Sequence, residues 1–457
     1  MFSSNFQRLM LGAGGLLATG TSVQVVNREN GPYTLENGRR RLNLDGYELK
    51  MVQVLVRHGA RTPIHTIKHV PEVEYDARQF LTDVPHTSCS YVVRGIDGGE
   101  RPFSKYDGYY KNRYLKGGAL RGQLTQCGQD QMYIKGRQLR REYVDEMGLI
   151  DAQYSPQQVF VRSTNINRTI LTARCVLVGL FGRENLNKLE DPLVIHVEKS
   201  ECDPLVPRTA VCRTLRQINH AAMIHGGDIP GIKEDRWRVE QCLGITEPDH
   251  PKKHKINFID IRDDLVARET HGLHGVKCLD SMRREIELNA SKVMYYSFCG
   301  QHEAWRDLAM QLSTGPLVKM LTDNIDNMNE NKTKLYIFSC HDSTLVGLLG
   351  TLDVYDFTWP PFGSDVRFEL YENRRGQKFV RVSYNGKDVT IRGCTHVLCP
   401  LEEFKAAMQS YAIDESQFKK ICDSNILEVI AKEMLEQEKD EEEDEETSER
   451  SDVPAGM

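Results

Sequence analysis

The chain has 457 residues, of which 40% are hydrophobic and 27% charged, enough to bury a substantial core in one large α/β unit with an insertion or in two domains. Its formal net charge of −6 is spread over residues of both signs and argues against a nucleic-acid binder. Nowhere do 18 or more apolar residues follow one another, so no membrane-spanning helix is expected.

From Met1 to Arg28 there is no acidic residue, and the stretch carries Arg8, several Ser and Thr, and a short apolar run from Leu9 to Leu17. This composition reads as a targeting peptide, mitochondrial or, as the alternative, secretory. Residues 1–45 are therefore assigned to a targeting segment and linker.

Three later segments share one design. Leu49–Val56 is rich in Val and Leu and runs directly into Arg57-His58-Gly59-Ala60-Arg61-Thr62-Pro63. Gln158–Val161 is followed by Arg162-Ser163-Thr164 and a helical stretch, Ile170 to Phe181. Lys334–Cys340 is followed by His341-Asp342-Ser343-Thr344 and the apolar stretch Leu345 to Leu352. Each is a short strand signal, then polar residues, then a helix signal with Ser or Thr near its start. Strands alternating with helices predict a mostly parallel sheet, and ligands of such sheets bind beyond the carboxyl ends of the strands. The helix N-termini there would favour an anion.

Between the first two strands, Gly122–Tyr143 predicts a long helix. From about Pro204 to Leu279 the strand pattern disappears, which predicts a mostly helical cap insertion. Alternation returns from Val366 to Tyr384 around the hairpin signal Asn373-Arg374-Arg375-Gly376. The predicted organisation is a core in two parts, 46–203 and 301–435, separated by the cap at 204–300. Residues 436–457, dominated by Glu and Asp, form a disordered acidic tail.

Twelve cysteines are scattered with no CxxC pair, which argues against a zinc ribbon or a thioredoxin-type site. The closest spacings, Cys202 with Cys212 and Cys394 with Cys399, are candidate bridges, with buried thiols the alternative. No metal site or cofactor is expected. His250–His254 is broken by Pro251, and His271-Gly272-Leu273-His274 reads as a solvated turn. Sequons occur at Asn167, Asn289 and Asn331. A glycan on Asn167 would block the predicted pocket, so that site is read as unmodified.

A histidine between two arginines is electrostatically unfavourable unless an anion fills the gap. Arg57 and Arg61 can each grip phosphate oxygens through two N–H groups and keep His58 neutral and nucleophilic. Arg162, at the end of the second strand, would converge on the anion as a third ligand. His341 can hydrogen-bond a phosphoryl oxygen, and Asp342 stands where a leaving group would need a proton.

These motifs resemble the histidine acid phosphatase family. The resemblance rests on Arg57–Pro63, on Arg162-Ser163-Thr164 with Arg168 following, and on His341-Asp342. It rests also on Gly122-Gln123-Leu124-Thr125 and on Trp359-Pro360-Pro361-Phe362 leading to Glu369-Leu370-Tyr371, and it covers roughly Lys50 to Tyr411. It implies a phosphoglycerate-mutase-like α/β fold, with a mixed, mostly parallel central sheet flanked by helices and a smaller, mostly helical cap. By the same resemblance His58 is the nucleophile, Asp342 the proton donor, and Arg57, Arg61, Arg162 and His341 the substrate-binding residues. Lys50-Met51-Val52-Gln53, Leu115-Lys116-Gly117-Gly118 and Leu398-Cys399-Pro400-Leu401 resemble the lysophosphatidate-hydrolysing, mitochondrial branch. The expected partner is a small phosphate monoester, a lysophospholipid, with transient contact at a membrane surface. Secreted relatives usually carry acidic residues where this chain has Asn165 and Asn167, which weakens any expectation of secreted-type specificity. Two rivals remain: an inositol-polyphosphate phosphatase or phosphomutase of the same fold, and a non-catalytic lipid-phosphate-binding module.

Overall fold

A computed structural model describes residues 33–36, 39–42, 44–224, 229, 231–245, 256–301 and 303–427. The expected targeting peptide, the His250–His254 loop and the acidic tail lie outside the described residues. The chain divides into two units, Met1–Glu48 and Leu49–Met457. In the first, the stretch read as linker contains an antiparallel hairpin of β1 (Tyr33–Glu36) and β2 (Arg39–Leu42).

The remaining described strands are β3 (Tyr47–Arg57), β4 (Tyr91–Gly95), β5 (Val159–Ser163), β6 (Leu193–Val197), β7 (Leu335–Cys340), β8 (Asp365–Asn373), β9 (Lys378–Tyr384), β10 (Lys387–Val389) and β11 (Leu398–Pro400). They form one sheet in the order β10-β9-β8-β3-β7-β5-β6-β4, with β11 also on β9. Strands β3, β7, β5, β6 and β4 pair in parallel, whereas β9 pairs antiparallel with β8, β10 and β11. The predicted mixed, mostly parallel sheet is therefore present, and Asn373–Gly376 makes the β8–β9 turn. There Gly376 takes a φ of +76° and the Asn373 side chain accepts from the Arg375 and Gln377 N–H groups.

Helices cover both faces, so the central strands are apolar on both sides. Every residue of β7 is buried. On β3, Val52, Val54 and Val56 join the core beneath the helices Gln126–Arg140 and Asn167–Phe181. Met51 and Leu55 face the opposite core, with residues of the helices Arg306–Asp326 and Asp342–Thr351. Truncating a buried side chain such as Leu55 to Ala would cost about 2–5 kcal/mol.

Two glycines bring the first pair of helices into backbone contact. A Cβ on Gly136 would lie 2.0 Å from the Val176 carbonyl oxygen, and one on Gly179 would lie 2.1 Å from that of Tyr133. The first of these helices starts later than expected, at Gln126. Gly122 turns the chain with a φ of +66°, and residues 123–125 stay out of the helix because they pair with the active loop: Thr62 N–H donates to the Gln123 carbonyl, and Leu124 bridges Arg61.

The cap region is helical as expected, with Arg213–Ile224, Ile232–Cys242 and Phe258–Thr270 followed by Arg283–Cys299. It has its own core, including Ile232, Val239, Phe258, Leu265 and Ile286. Of the two candidate bridges, Cys394–Cys399 forms, but Cys202–Cys212 does not. Cys212 instead packs with Phe418 and pairs with Cys422, which is 210 residues away, and Cys202 is an exposed thiol. A third bridge, Cys242–Cys278, lies in the cap. The sequon residue Asn289 is buried and donates to Asp235, so the folded chain offers no glycan site there.

Candidate active site

The parallel pairing of β3 with β7 sets Arg57 opposite Cys340, and so places His58 beside His341 at the carboxyl edge of the sheet. The two rings meet edge to face at 5.6 Å. The loop after β3 is held by backbone contacts that require glycine: a Cβ on Gly59 would stand 2.4 Å from the Gly128 carbonyl oxygen. Ala60 N–H donates to Gln131 (2.8 Å), and the Ala60 carbonyl accepts from both the N–H and the hydroxyl of Thr125. The His58 backbone is thus clamped on the first turn of the helix Gln126–Arg140.

His58 is almost wholly buried, and its Nδ1 lies 2.9 Å from the Gly59 carbonyl. A carbonyl only accepts, so Nδ1 carries the proton and Nε2 presents a lone pair. Burial, then the charges of Arg168, Arg57 and Arg61, hold the His58 pKa well below its ordinary value. The imidazole is neutral at physiological pH.

Four guanidinium groups define the charge of the pocket. Arg57 is fully buried over the Phe362 ring (4.3 Å), donates to the Pro360 carbonyl and pairs with Asp342 at 2.6 Å. Its pKa falls to about 10, chiefly through burial, with Arg262 and Arg61 adding to the effect against Asp342. Arg61 forms a two-pronged pair with Asp263 of the cap helix, at 2.8 and 3.1 Å. Arg262, next to Asp263, stacks on Trp359 (4.4 Å) and pairs with Glu287.

The fourth is Arg168. Its Nη2 lies 3.4 Å from His341 Nδ1, and its Nε and Nη1 are buried with no hydrogen-bond partner among the described residues. Buried donors left open in this way are rare in folded proteins and mark a place for an acceptor.

Sequence reasoning put Arg162 in this role, and the structure places it elsewhere. Its guanidinium pairs with buried Asp203 at 3.0 Å and lies against Met320. Arg168 sits in the first turn of the helix Asn167–Phe181, where the Cα–Cβ bond tilts towards the helix N-terminus and sends the side chain back over the sheet edge. The signal lies in Arg162-Ser163-Thr164 with Arg168 following: helix geometry, rather than position at the strand end, selects the arginine that reaches the pocket.

His341 caps the helix Asp342–Thr351. Its Nε2 meets the Thr164 hydroxyl at 3.0 Å, and its pKa is also held well below the ordinary value, by burial and then by Arg168. For Asp342, burial alone would raise the pKa. Arg57, Arg61, His341 and Arg262 together outweigh it and hold the carboxyl far below the usual range. Its Oδ2 also accepts from Trp359 Nε1 (3.2 Å), and its Oδ1 from Ser343 N–H. The run Trp359–Phe362 thus supplies a lid for Arg57 and a second donor to Asp342.

Arg262 and Asp263 were not foreseen. Neither was His271, whose segment was expected to be a solvated turn. Gly272 and His274 are exposed, but the His271 ring is partly buried, bonds Thr125 (2.8 Å) and packs on Tyr75 and Phe80.

A neutral imidazole with a free Nε2, ringed by guanidinium groups and facing an aspartate, defines a phosphomonoesterase site that works through histidine. The comparisons agree. The model of the histidine phosphatase superfamily (branch 2) matches residues 48–226 and 283–385, and the chain belongs to that family as a histidine acid phosphatase. The break in the match spans much of the helical cap. The chain is 34% identical over 390 residues to lysophosphatidic acid phosphatase type 6 of Homo sapiens, covering 84% of this chain and 88% of the relative. It is 27% identical to lysosomal acid phosphatase of Xenopus laevis, covering 79% and 76%. Among solved structures, a phytase of Hafnia alvei superposes with a TM-score of 0.56 at 14% identity, over 82% of this chain and 98% of the other. The multiple inositol polyphosphate phosphatase of Bifidobacterium longum gives 0.54 at 13% identity, over 85% and 98%. At these identities the two structures share the fold.

Proposed function

We propose that the chain hydrolyses lysophosphatidate to monoacylglycerol and phosphate, through a phosphohistidine at His58. The observation that carries the chemistry is the free Nε2 of a neutral, clamped imidazole in a pocket with unpaired guanidinium donors. The phosphoryl oxygens would be held by Arg57, Arg61 and Arg168, the last taking the place expected of Arg162. His341 joins them by giving up its 3.4 Å contact with Arg168. His58 Nε2 forms a bond to phosphorus as the ester P–O bond breaks, and Asp342 gives its proton to the departing alcohol. Water then attacks the phosphohistidine, Asp342 takes a proton from it, and the N–P bond breaks to release phosphate.

The lipid assignment is supported by an apolar groove of about 360 Å³ beside this pocket. Its lining includes Ile64, Tyr106, Tyr109, Tyr110, Val206 and Val211. It adjoins the site on three elements. Ile64 follows the active loop, Tyr110 lies 5.8 Å from the Arg168 guanidinium, and the carbonyl of Leu205, next to Val206, accepts from Thr344 in the first turn after Asp342. A single acyl chain fits such a surface better than a polyphosphate does.

The test is a series of lysophosphatidates of increasing chain length, below their aggregation limits, with inositol hexakisphosphate as the polyphosphate control. Each buried methylene should raise kcat/KM about fourfold until the groove is full. A flat profile rejects the lipid substrate and leaves the phosphatase intact, whereas undiminished hydrolysis by His58→Ala rejects the mechanism. We also propose mitochondrial residence, to be tested by import of a fusion carrying residues 1–45.

A further inference from the structure

The segment from Phe103 to Lys116 presents aromatic and basic side chains together at the mouth of the site. Phe103 is 79% exposed, Tyr114 59%, Tyr109 45% and Tyr106 41%, and these are among the most exposed large hydrophobic residues of the described chain. Lys105, Lys111, Arg113 and Lys116 are exposed among them. The one acidic residue of the stretch, Asp107, turns inward, where it pairs with Arg101 and accepts from the Asn167 N–H. Lys105 is offset by Glu201, which leaves Lys111, Arg113 and Lys116 as the outward cations. In a chain of net charge −6 this is a local reversal of sign.

The segment is also held in place. Ser104 caps the helix Lys105–Tyr110 and donates to the Asn165 carbonyl at 2.6 Å, and the Arg113 guanidinium stacks 3.6 Å above the Tyr109 ring. Exposed aromatic rings interleaved with cations suit the headgroup layer of an anionic bilayer, where amphipathic rings settle and each Lys or Arg gains from the surface potential.

We propose that Phe103–Lys116 is a landing surface for an anionic lipid bilayer, which seats the groove and the His58 pocket against the layer where a single-chain phosphate monoester resides. Its use in catalysis rests on the lipid-substrate reading above, but its test does not. The occupant is argued from charge and position: the cations face outward, the rings stand beside them, and the same short helix contributes Tyr106, Tyr109 and Tyr110 to the groove wall.

The experiment is co-sedimentation of the full chain with vesicles of phosphatidylcholine alone and with one-third phosphatidylserine, at low and high salt. Binding should require phosphatidylserine and weaken as salt rises. Lys111→Ala/Arg113→Ala/Lys116→Ala should lower the partition constant on the order of 100-fold, at about fivefold per cation. Phe103→Ser/Tyr114→Ser should also lower it. Both variants should hydrolyse soluble phenyl phosphate at the parental rate, which shows that they are folded, and should lose rate on lysophosphatidate held in vesicles. Absence of binding by the parent, equal binding to phosphatidylcholine alone, indifference to salt, or unchanged binding by both variants would each overturn the proposal. Bilayer binding without hydrolysis of lysophosphatidate in any form would uphold this surface and defeat the lipid-substrate reading.

Discussion

Replacing Arg168 by Ala separates the structural assignment of the third phosphate ligand from the sequence-based one. Arg168 brings two unpaired buried donors and the largest charge effect on both His58 and His341. Loss of one preorganised donor to a developing charge typically costs 10²–10³ in rate, about 2.7–4 kcal/mol. Removing this cation should also let the His58 pKa rise towards its ordinary value, so His58 would be protonated and inactive at a higher pH. The acidic limb of the kcat/KM profile on a soluble phosphate ester should therefore move up. Stability should not suffer, because burial and the neighbouring Arg61 already depress the Arg168 pKa and the folded state bears the cost of its charge. Arg162→Ala should behave in the opposite way. It leaves Asp203 buried and uncompensated, costing about 3–5 kcal/mol of stability, with near-parental activity in the folded fraction. Arg162→Met/Asp203→Asn should recover much of that loss. Thermal unfolding and pH-resolved kinetics on both single variants decide the matter. A catalytic collapse in folded Arg162→Ala with a near-normal Arg168→Ala would refute the geometry.

Asp342→Asn should slow alkyl phosphates by about 10²–10⁴ and nitrophenyl phosphate far less, because only a poor leaving group needs the proton; equal losses on both, in steady-state rates, would contradict the role. The same carboxyl, with its pKa depressed in the folded state, contributes stability at pH above its unfolded value of about 3.9, and this is lost as pH falls through the folded value. Acid-unfolding curves of the parent should therefore show a dependence that Asp342→Asn lacks. Gly59→Ala drives a Cβ into the Gly128 carbonyl and should lose about 1–3 kcal/mol together with activity, read by thermal melts and kinetics on one preparation. Asp263→Ala frees Arg61 from the cap and removes the acceptor for Ile64 N–H, so KM for small phosphate esters should rise more than kcat falls.

The parts of the site legible in the sequence are those whose position follows from local pattern. Arg57-His58 and His341-Asp342 each end an apolar run that can only be a buried strand, and parallel pairing of β3 with β7 then brings them together. Arg162 was misplaced because the end of a strand tells that a side chain lies near the edge, but not which way it faces or what waits for it. Asp203, its partner, lies 41 residues on, in a loop with no periodic signal. Asp263 and Arg262 come from a cap helix some 200 residues beyond Arg61, so only the tertiary fold makes them neighbours. The Cys212–Cys422 bridge was hidden for the same reason, since short spacing is a poor guide once a loop is held elsewhere.

The pocket's charge balance bears on how an aspartate can act as an acid in it. With no substrate bound, Asp342 is the counter-ion of Arg57, and guanidinium charge keeps its carboxyl ionised although burial favours the neutral form. The force that strips its proton is therefore unsatisfied cation, which a phosphate monoester supplies with anion. In the proposed mechanism, phosphoryl oxygens engaging Arg57, Arg61 and Arg168 would weaken that depression, so that burial would become the dominant influence and raise the Asp342 pKa. A monoester entering as the monoanion can also deliver the proton directly. His58 is kept neutral chiefly by its own burial, the largest cause of its lowered pKa, which acts before and after binding even as the anion offsets the arginine charges. On this mechanism the arrangement would make the acid only when there is something to protonate, and would keep the nucleophile ready without a separate base.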